Sequence, residues 1–338
     1  MKNNQTTALA LYSGGLDSTL ACRVVAAQGI KVVAVKFVTP FFGYELLQKQ
    51  DEYIQKIKET AGIDIILRDV TLPYLELLKK PAHGFGKNFN PCIDCKIFML
   101  SEAKKMMHEI GASFLVTGEV IGQRPMSQRR DALRVIERDS DCEGILVRPL
   151  CAKNLVPTQA ELDGLIDREQ LHAFSGRNRT PQIALAKQFG ITDYPSPGGG
   201  CILADPILGL RIEEHYQEHK NIIPEDILLL LTGRQFKLPT GGWVVVGRDY
   251  PEDIKIENLR QPGDWFLETK EVPGPSAILR YSTGPEELET AASIVVRYSK
   301  KSVVGQGSAV IIADQDGARH EIDSRPLDDA VIQPWQKK

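Results

Sequence analysis

The chain has 338 residues, enough for two domains, and its 42% hydrophobic and 25% charged residues exclude disordered, collagen-like and coiled-coil chains. Forty-one Lys and Arg stand against 44 Asp and Glu, a net charge of −3, so any contact with nucleic acid has to be local rather than spread over a basic surface. Six cysteines are too few for a disulfide scaffold, the first residues lack the apolar stretch of a signal peptide, and no run of 18 apolar residues occurs; a cytoplasmic protein with no membrane span is expected.

Residues 8–12 form a short apolar run that reads as a strand, followed by a Ser-Gly-Gly turn and a helical pattern over 16–27 that Gly29 ends. Residues 30–38 are β-branched and apolar, 45–61 helical, and 63–70 strand-like after the helix stop at Gly62. A helical pattern over 97–110 leads through Gly111 to a fourth strand at 113–117. Strand and helix alternating in units of about thirty residues predict a doubly wound α/β fold, a parallel Rossmann-like sheet with helices on both faces. In such sheets ligands sit outside the carboxyl ends of the strands, so the loops after Tyr12, Val38 and Thr117 are expected to face one site. Helical patterns at 159–171 and 181–189 and a Pro-Ser-Pro-Gly-Gly-Gly loop at 195–200 extend this first domain, expected to span 1–219. From 220 to 338 short strand-like runs (243–246, 277–281, 309–313) alternate with turns and one helix (286–298), a smaller α+β domain with 15 Lys and Arg against 18 Asp and Glu.

The turn Ser13-Gly14-Gly15-Leu16-Asp17-Ser18 joins a strand to a helix. Two glycines permit backbone conformations that line a nest of amide N–H groups at a helix N-terminus, which is an anion site. The hydroxyls of Ser13 and Ser18 add donors, and the acid Asp17 suits a bound Mg²⁺ or a helix cap. The pattern lacks the long glycine spacing and the Lys of the kinase and GTPase P-loop. The plainer alternative is an ordinary capped strand-to-helix turn. These six residues resemble the SGGxDS signature of the PP-loop ATP pyrophosphatases, which cleave ATP between the α and β phosphates. The resemblance implies ATP binding by Ser13, Gly14, Gly15, Asp17 and Ser18, a contact of the backbone near Phe37 with adenine, and a role for Gly118 at the end of the fourth strand, where Glu119 departs from the His often found in related enzymes.

Asn90-Pro91-Cys92-Ile93-Asp94-Cys95-Lys96 opens the helix that precedes the fourth strand. Two thiols with two residues between them can share a metal, a cluster or a disulfide, and a helix N-terminus favours thiolate. A third thiol, Cys201, follows Gly198-Gly199-Gly200; a mononuclear zinc site wants a fourth ligand, and none is close in sequence. The Asn-Pro-Cys-x-x-Cys stretch resembles tRNA 2-thiouridylases, while Arg148-Pro149-Leu150 and the Ser-Pro-Gly-Gly-Gly-Cys stretch are similar to tRNA 4-thiouridine synthetases. In cluster-dependent members of these families three cysteines hold a [4Fe-4S] cluster, and here they map onto Cys92, Cys95 and Cys201; three ligands for four irons leave one iron open to sulfide. A persulfide relay between Cys95 and Cys201 is the rival arrangement. Cys22, Cys142 and Cys151 carry no spacing signal and read as core thiols.

Three further signals are weaker. His215-x-x-Glu218-His219 matches an inverted zinc-peptidase pattern but reads as a solvated helix face. The basic run from Gln123 through Arg124, Arg129, Arg130, Arg134 and Arg138 either meets phosphates or forms ordinary salt bridges; Arg177, Arg179 and Lys187 form a lesser set. The stretch 231–248 resembles the NFACT-R type domain, whose resemblance implies RNA contacts by Arg234, Lys237 and Arg248. Together these resemblances imply an ATP-dependent tRNA sulfurtransferase with Asp17, Cys95 and Cys201 in its chemistry. The expected cofactors are ATP, Mg²⁺ and a [4Fe-4S] cluster. The expected partners are tRNA and a sulfur donor, either sulfide or a persulfide carrier, and a homodimer is compatible with the sequence. The alternative is a PP-loop enzyme inserting or removing sulfur on a small molecule.

Overall fold

A computed structural model describes residues 5–196, 201–299 and 307–337. The chain divides into two compact units, Met1–Asp205 and Pro206–Lys338. The division falls ahead of the expected boundary at 219/220, because the helix Pro206–Glu218 builds into the second unit: its buried His215 lies against Trp243 there.

The first unit carries a five-stranded sheet in the order β3-β2-β1-β4-β5, formed by β1 (Thr7–Leu11), β2 (Lys31–Val38), β3 (Asp64–Asp69), β4 (Phe114–Thr117) and β5 (Leu146–Val147). Every pairing is parallel, with Leu9 opposite Val33 on one side and Leu115 on the other. The expected doubly wound α/β class holds. Strands β1, β2 and β4 read as near-continuous apolar runs because both faces are covered. Helix α1 (Leu16–Ala26) covers one face with Leu16, Leu20 and Val24, and α2 (Gln50–Ala61) adds Ile57 and Ala61 to the same core. Two helices escape the sequence patterns, α3 (Thr71–Lys79) and α5 (Arg130–Asp139). The CxxC helix α4 runs Cys92–Ile110, starting earlier than its apolar periodicity, and ends at Gly111 in the left-handed region (φ 68). The stretch expected as one helix over 159–171 breaks: α6 (Gln159–Leu162) stops before Gly164 at φ 70, and a 3-10 turn, Arg168–Gln170, follows. Helix α7 (Thr180–Gln188) packs on α1. Outside the described residues lie Pro197, Gly198, Gly199 and Gly200, most of the glycine loop singled out in the sequence.

The second unit is a seven-stranded antiparallel sheet formed by β6 (Arg234–Lys237), β7 (Trp243–Val246), β8 (Trp265–Thr269), β9 (Ala277–Arg280), β10 (Ala309–Gln315), β11 (Ala318–Ser324) and β12 (Gln336–Lys337), in the order β11-β10-β8-β9-β7-β6-β12. Its core is set by Val244, Val246, Leu267 and Leu279 of the sheet packed on Ala291, Ala292 and Val295 of the helix Pro285–Tyr298. A buried Arg280 holds this unit together by donating to Asp264 and to Asp226, the latter at 2.7 Å.

Candidate active site

The order β3-β2-β1-β4-β5 reverses direction between β1 and β4, so the loops after these two strands flank the crevice where a doubly wound sheet takes its ligand. The glycine turn is one of them. Gly14 sits at φ 88, closed to most side chains, and the Ser18 hydroxyl donates to Gly15 O at 2.8 Å while lying 3.2 Å from the Ser13 hydroxyl. Lys36 of β2 donates to Ser13 O at 2.9 Å and lies over the Tyr53 ring; burial pulls its pKa down, with Glu45 opposing. Phe37 itself is buried in β2. Across the crevice Gly118 touches the turn so closely that a Cβ would stand 2.5 Å from the Asp17 carbonyl. The expected ATP-loop residues Ser13, Gly14, Gly15, Asp17, Ser18 and Gly118 are therefore neighbours.

Asp17 does not cap its helix. Its Oδ2 accepts from Gln123 Nε2 at 2.6 Å and lies 3.7 Å from Arg179 Nη2, while Oδ1 is buried with no hydrogen-bond partner. Gln123 follows β4, and Arg179 stands at the N-cap of α7; the two segments are tied where Gly176 N donates to Ile121 O at 2.7 Å. Gln182, one turn further along α7 and fully buried, donates to Gln123 Oε1 at 3.1 Å. Sequence reasoning missed Lys36, Gln123 and Gln182 in this role; no motif marks a lone amide. Arg177 and Lys187 are exposed, so only Arg179 of that set reaches the turn.

The three singled-out thiols also converge. Cys92 and Cys201 each raise the pKa of Cys95, and Cys92 raises that of Cys201, as negative charges in proximity do. Burial is the larger cause at both, and pushes Cys95 up to about 11 against a hydrogen bond from Tyr74 and the charge of Lys96. Buried Tyr74 stands among Phe41, Phe42 and Phe98, and Asn88 of the loop before α4 holds the Cys201 segment by donating to Ala204 O at 2.6 Å. Asp94, between the two cysteines, points away and accepts from Ala82 N and His83 N. Among the described residues no group of three or more His, Cys, Asp or Glu is arranged to hold a single metal ion. Three thiols from two segments, with no carboxylate among them, are the soft donors that an iron–sulfur cluster takes.

Lys96 links the thiols to β4. It lies 3.4 Å from Glu119 Oε1, and Glu119 Oε2 accepts from the buried Arg148 at 3.0 Å. Burial alone would raise the Glu119 carboxyl, but Lys96 and Arg148 hold it below the usual range. Glu119, the departure from the family pattern, therefore lies between Lys96 and the buried Arg148, which also pairs with Glu137.

Within the basic run, Arg129 and Arg138 pair with Asp131 and Asp139, and Arg130 donates to Asn154 O. Arg124 differs. It is exposed, and its charge lowers the pKa of Cys201. In the second unit Arg234 lies over Tyr298, Lys237 pairs with Glu218, and Arg248 with Glu252, so all three residues expected on an RNA face are engaged internally. Buried His215 lies tilted against Trp243, and His219 stacks on Tyr281.

Comparison with known proteins matches the two parts of the chain separately. Residues 3–156 match the family described as Thiamine biosynthesis protein (ThiI), and residues 233–336 match the NFACT protein RNA binding domain. A probable tRNA sulfurtransferase of Methanothermobacter thermautotrophicus is 34% identical over 121 residues, 35% of this chain and 30% of the relative. One of Thermococcus kodakarensis is 29% identical over 147 residues, 43% of this chain and 37% of the relative. The chain thus spans about a third of the length of these curated relatives. Among solved structures, a 4-thiouridine synthetase–RNA complex with bound ATP is 26% identical with a TM-score of 0.39 over 55% of this chain and 41% of that one. The U34-tRNA thiolase NcsA from Methanococcus maripaludis with its [4Fe-4S] cluster is 16% identical with a TM-score of 0.33 over 67% and 71%. The resemblances read from the sequence hold: the first unit is similar to tRNA sulfurtransferases of the PP-loop class and the second to an NFACT RNA-binding domain.

Proposed function

We propose that the protein is an ATP-dependent tRNA sulfurtransferase that replaces a uridine carbonyl oxygen with sulfur. One observation carries the reading: two consecutive residues at the end of β4 reach both groups, Gly118 lying against Asp17 of the glycine turn and Glu119 pairing at 3.4 Å with Lys96, the chain neighbour of Cys95. An enzyme that activates a base with ATP and then delivers sulfur to it needs those two groups side by side.

The turn Ser13–Ser18 and Lys36 offer donors to the triphosphate, and the free Asp17 Oδ1 is an acceptor that fits Mg²⁺, whose charge would neutralise the departing pyrophosphate. The uridine carbonyl oxygen attacks the α-phosphorus, the bond to pyrophosphate breaks, and an adenylated base results. A sulfur nucleophile then adds to the activated carbon, and AMP leaves with the oxygen. Cys92, Cys95 and Cys201 would hold a [4Fe-4S] cluster, which supplies an open iron for sulfide. Tyr74 and the aromatic residues around it shield one side of the half-buried thiols, and Lys96 and Arg124 bring positive charge to them. The second unit is proposed to add a grip on RNA. Lys237 and Arg248 are partly exposed, so RNA phosphates would compete with Glu218 and Glu252 for them.

The test is product analysis of anaerobically prepared protein with ATP, sulfide and tRNA. AMP, pyrophosphate and a thiolated nucleoside by mass spectrometry are expected together; ADP and phosphate, or turnover indifferent to tRNA, would overturn the reading, the latter in favour of a small-molecule substrate.

A further inference from the structure

We infer that Gln123 and Gln182 form an amide relay that positions Asp17 and Arg179 on the Mg²⁺–diphosphate end of a nucleoside triphosphate. The inference rests on the ATP-binding part of the proposed function and adds two positioning residues and a division of labour.

A carboxylate such as that of Asp17 only accepts hydrogen bonds. Gln123 must therefore present its NH₂ to Asp17 Oδ2, at 2.6 Å, which turns its carbonyl toward Gln182. Gln182 must in turn present its NH₂ to that carbonyl, at 3.1 Å, which leaves Gln182 Oε1 as the acceptor at the far end. Reversing either amide would set oxygen against oxygen, so the polarity of the whole row is fixed from Asp17. Oδ2 is occupied by this row and faces Arg179, and the carboxylate is left with one free oxygen. Arg179 and Gln182, three residues apart, share one face of α7.

Three buried polar atoms in this cluster have no hydrogen-bond partner: Asp17 Oδ1, Gln182 Oε1 and Arg179 Nε. Gln182 is fully buried, so bulk water does not serve its oxygen. Buried polar groups require partners, and this set asks for a ligand that both donates and accepts. A divalent cation bound to a diphosphate meets the requirement at the Asp17 end of the row: the ion or one of its waters satisfies Asp17 Oδ1, and a phosphate oxygen accepts from the guanidinium. The relay spans three elements: α1, the loop after β4 and α7. It thereby makes the position of Asp17 depend on the β4 loop and on α7 rather than on the glycine turn alone.

The experiment measures binding of α,β-methylene-ATP by calorimetry to the full chain at varied Mg²⁺. Gln123→Met and Gln182→Met, close in volume to the amides, are expected each to raise the half-saturating Mg²⁺ concentration on the order of tenfold, the usual loss when a group orienting a metal ligand is removed. The double variant is expected to lose no more than either single one, and thermal unfolding to be cooperative in all. In the wild type, the side-chain amide NMR signals of both glutamines should move when Mg²⁺ joins the nucleotide and stay with nucleotide alone, a readout independent of any substitution. Unchanged Mg²⁺ dependence in both variants, or amide signals that ignore Mg²⁺, would overturn the relay while leaving nucleotide binding intact. A wild type that binds no nucleotide overturns the relay and the proposed function together.

Discussion

Gly118 lies against Asp17 so tightly that a methyl group at its Cα would stand 2.5 Å from the Asp17 carbonyl carbon and oxygen, and 2.6 Å from Ser18 N. The end of β4 is thus the wall on which the glycine turn rests. Gly118→Ala forces backbone against backbone, and neither side can yield as a flexible side chain would. A loss on the order of 1–3 kcal/mol of stability is expected. ATP affinity should fall about tenfold or more, equal to about 1.4 kcal/mol. Thermal unfolding and nucleotide calorimetry check both; an unaltered affinity would contradict the wall.

The Glu119–Arg148 pair is buried at both ends, so Glu119→Gln leaves an arginine with a reduced counter-charge. Removing one partner of such a pair costs on the order of 3–5 kcal/mol, and Glu137 on the other side of Arg148 keeps the expected value toward the lower end. The sign of the pH effect follows from the depressed Glu119 carboxyl. Its contribution is complete above the ordinary glutamate value of 4.5 and is lost as pH falls through the lower folded value. The gap in melting temperature between wild type and Glu119→Gln should narrow as pH drops below that value; a constant gap would show that the charge does not matter.

Iron and acid-labile sulfide report on the thiol group. Cys92→Ala, Cys95→Ala and Cys201→Ala, purified without oxygen, should each lose both, and Cys142→Ala should keep them, because Cys142 is buried against the Leu100 and Ser140 carbonyls. Wild type free of iron, together with a Cys95–Cys201 disulfide formed on turnover, would instead favour the persulfide relay.

Burial pushes Cys22 up to about 12 and Cys151 up to about 11, and Cys151 donates its S–H to Glu119 O. Alkylation of native protein at pH 8 should therefore spare both, and their labelling should begin only where the fold opens, since thiolate is the reactive form. Rapid labelling of Cys22 in native protein, read by peptide mass spectrometry, would contradict this.

Much of the first unit was legible because its signals are local. Apolar runs followed by glycine mark β1, β2 and their helices, and the left-handed stops at Gly62 and Gly111 fall where the pattern ends. Helix α5 was hidden because charges dominate its sequence, and its buried face amounts to Ala132, Leu133 and Ile136. The helix read across 159–171 failed at Gly164, where a positive φ breaks a pattern that periodicity alone continues.

By itself the sequence determined the glycine turn, the cysteine pair and the class of sheet, since each depends on residues adjacent in the chain or on alternation along it. Tertiary structure decided what completes the turn. Gln123 lies 106 residues from Asp17, and Gln182 a further 59 along; they meet because β4 pairs beside β1 and α7 packs on α1. An isolated glutamine carries no pattern, and its meaning comes only from the carboxylate that the fold sets opposite it.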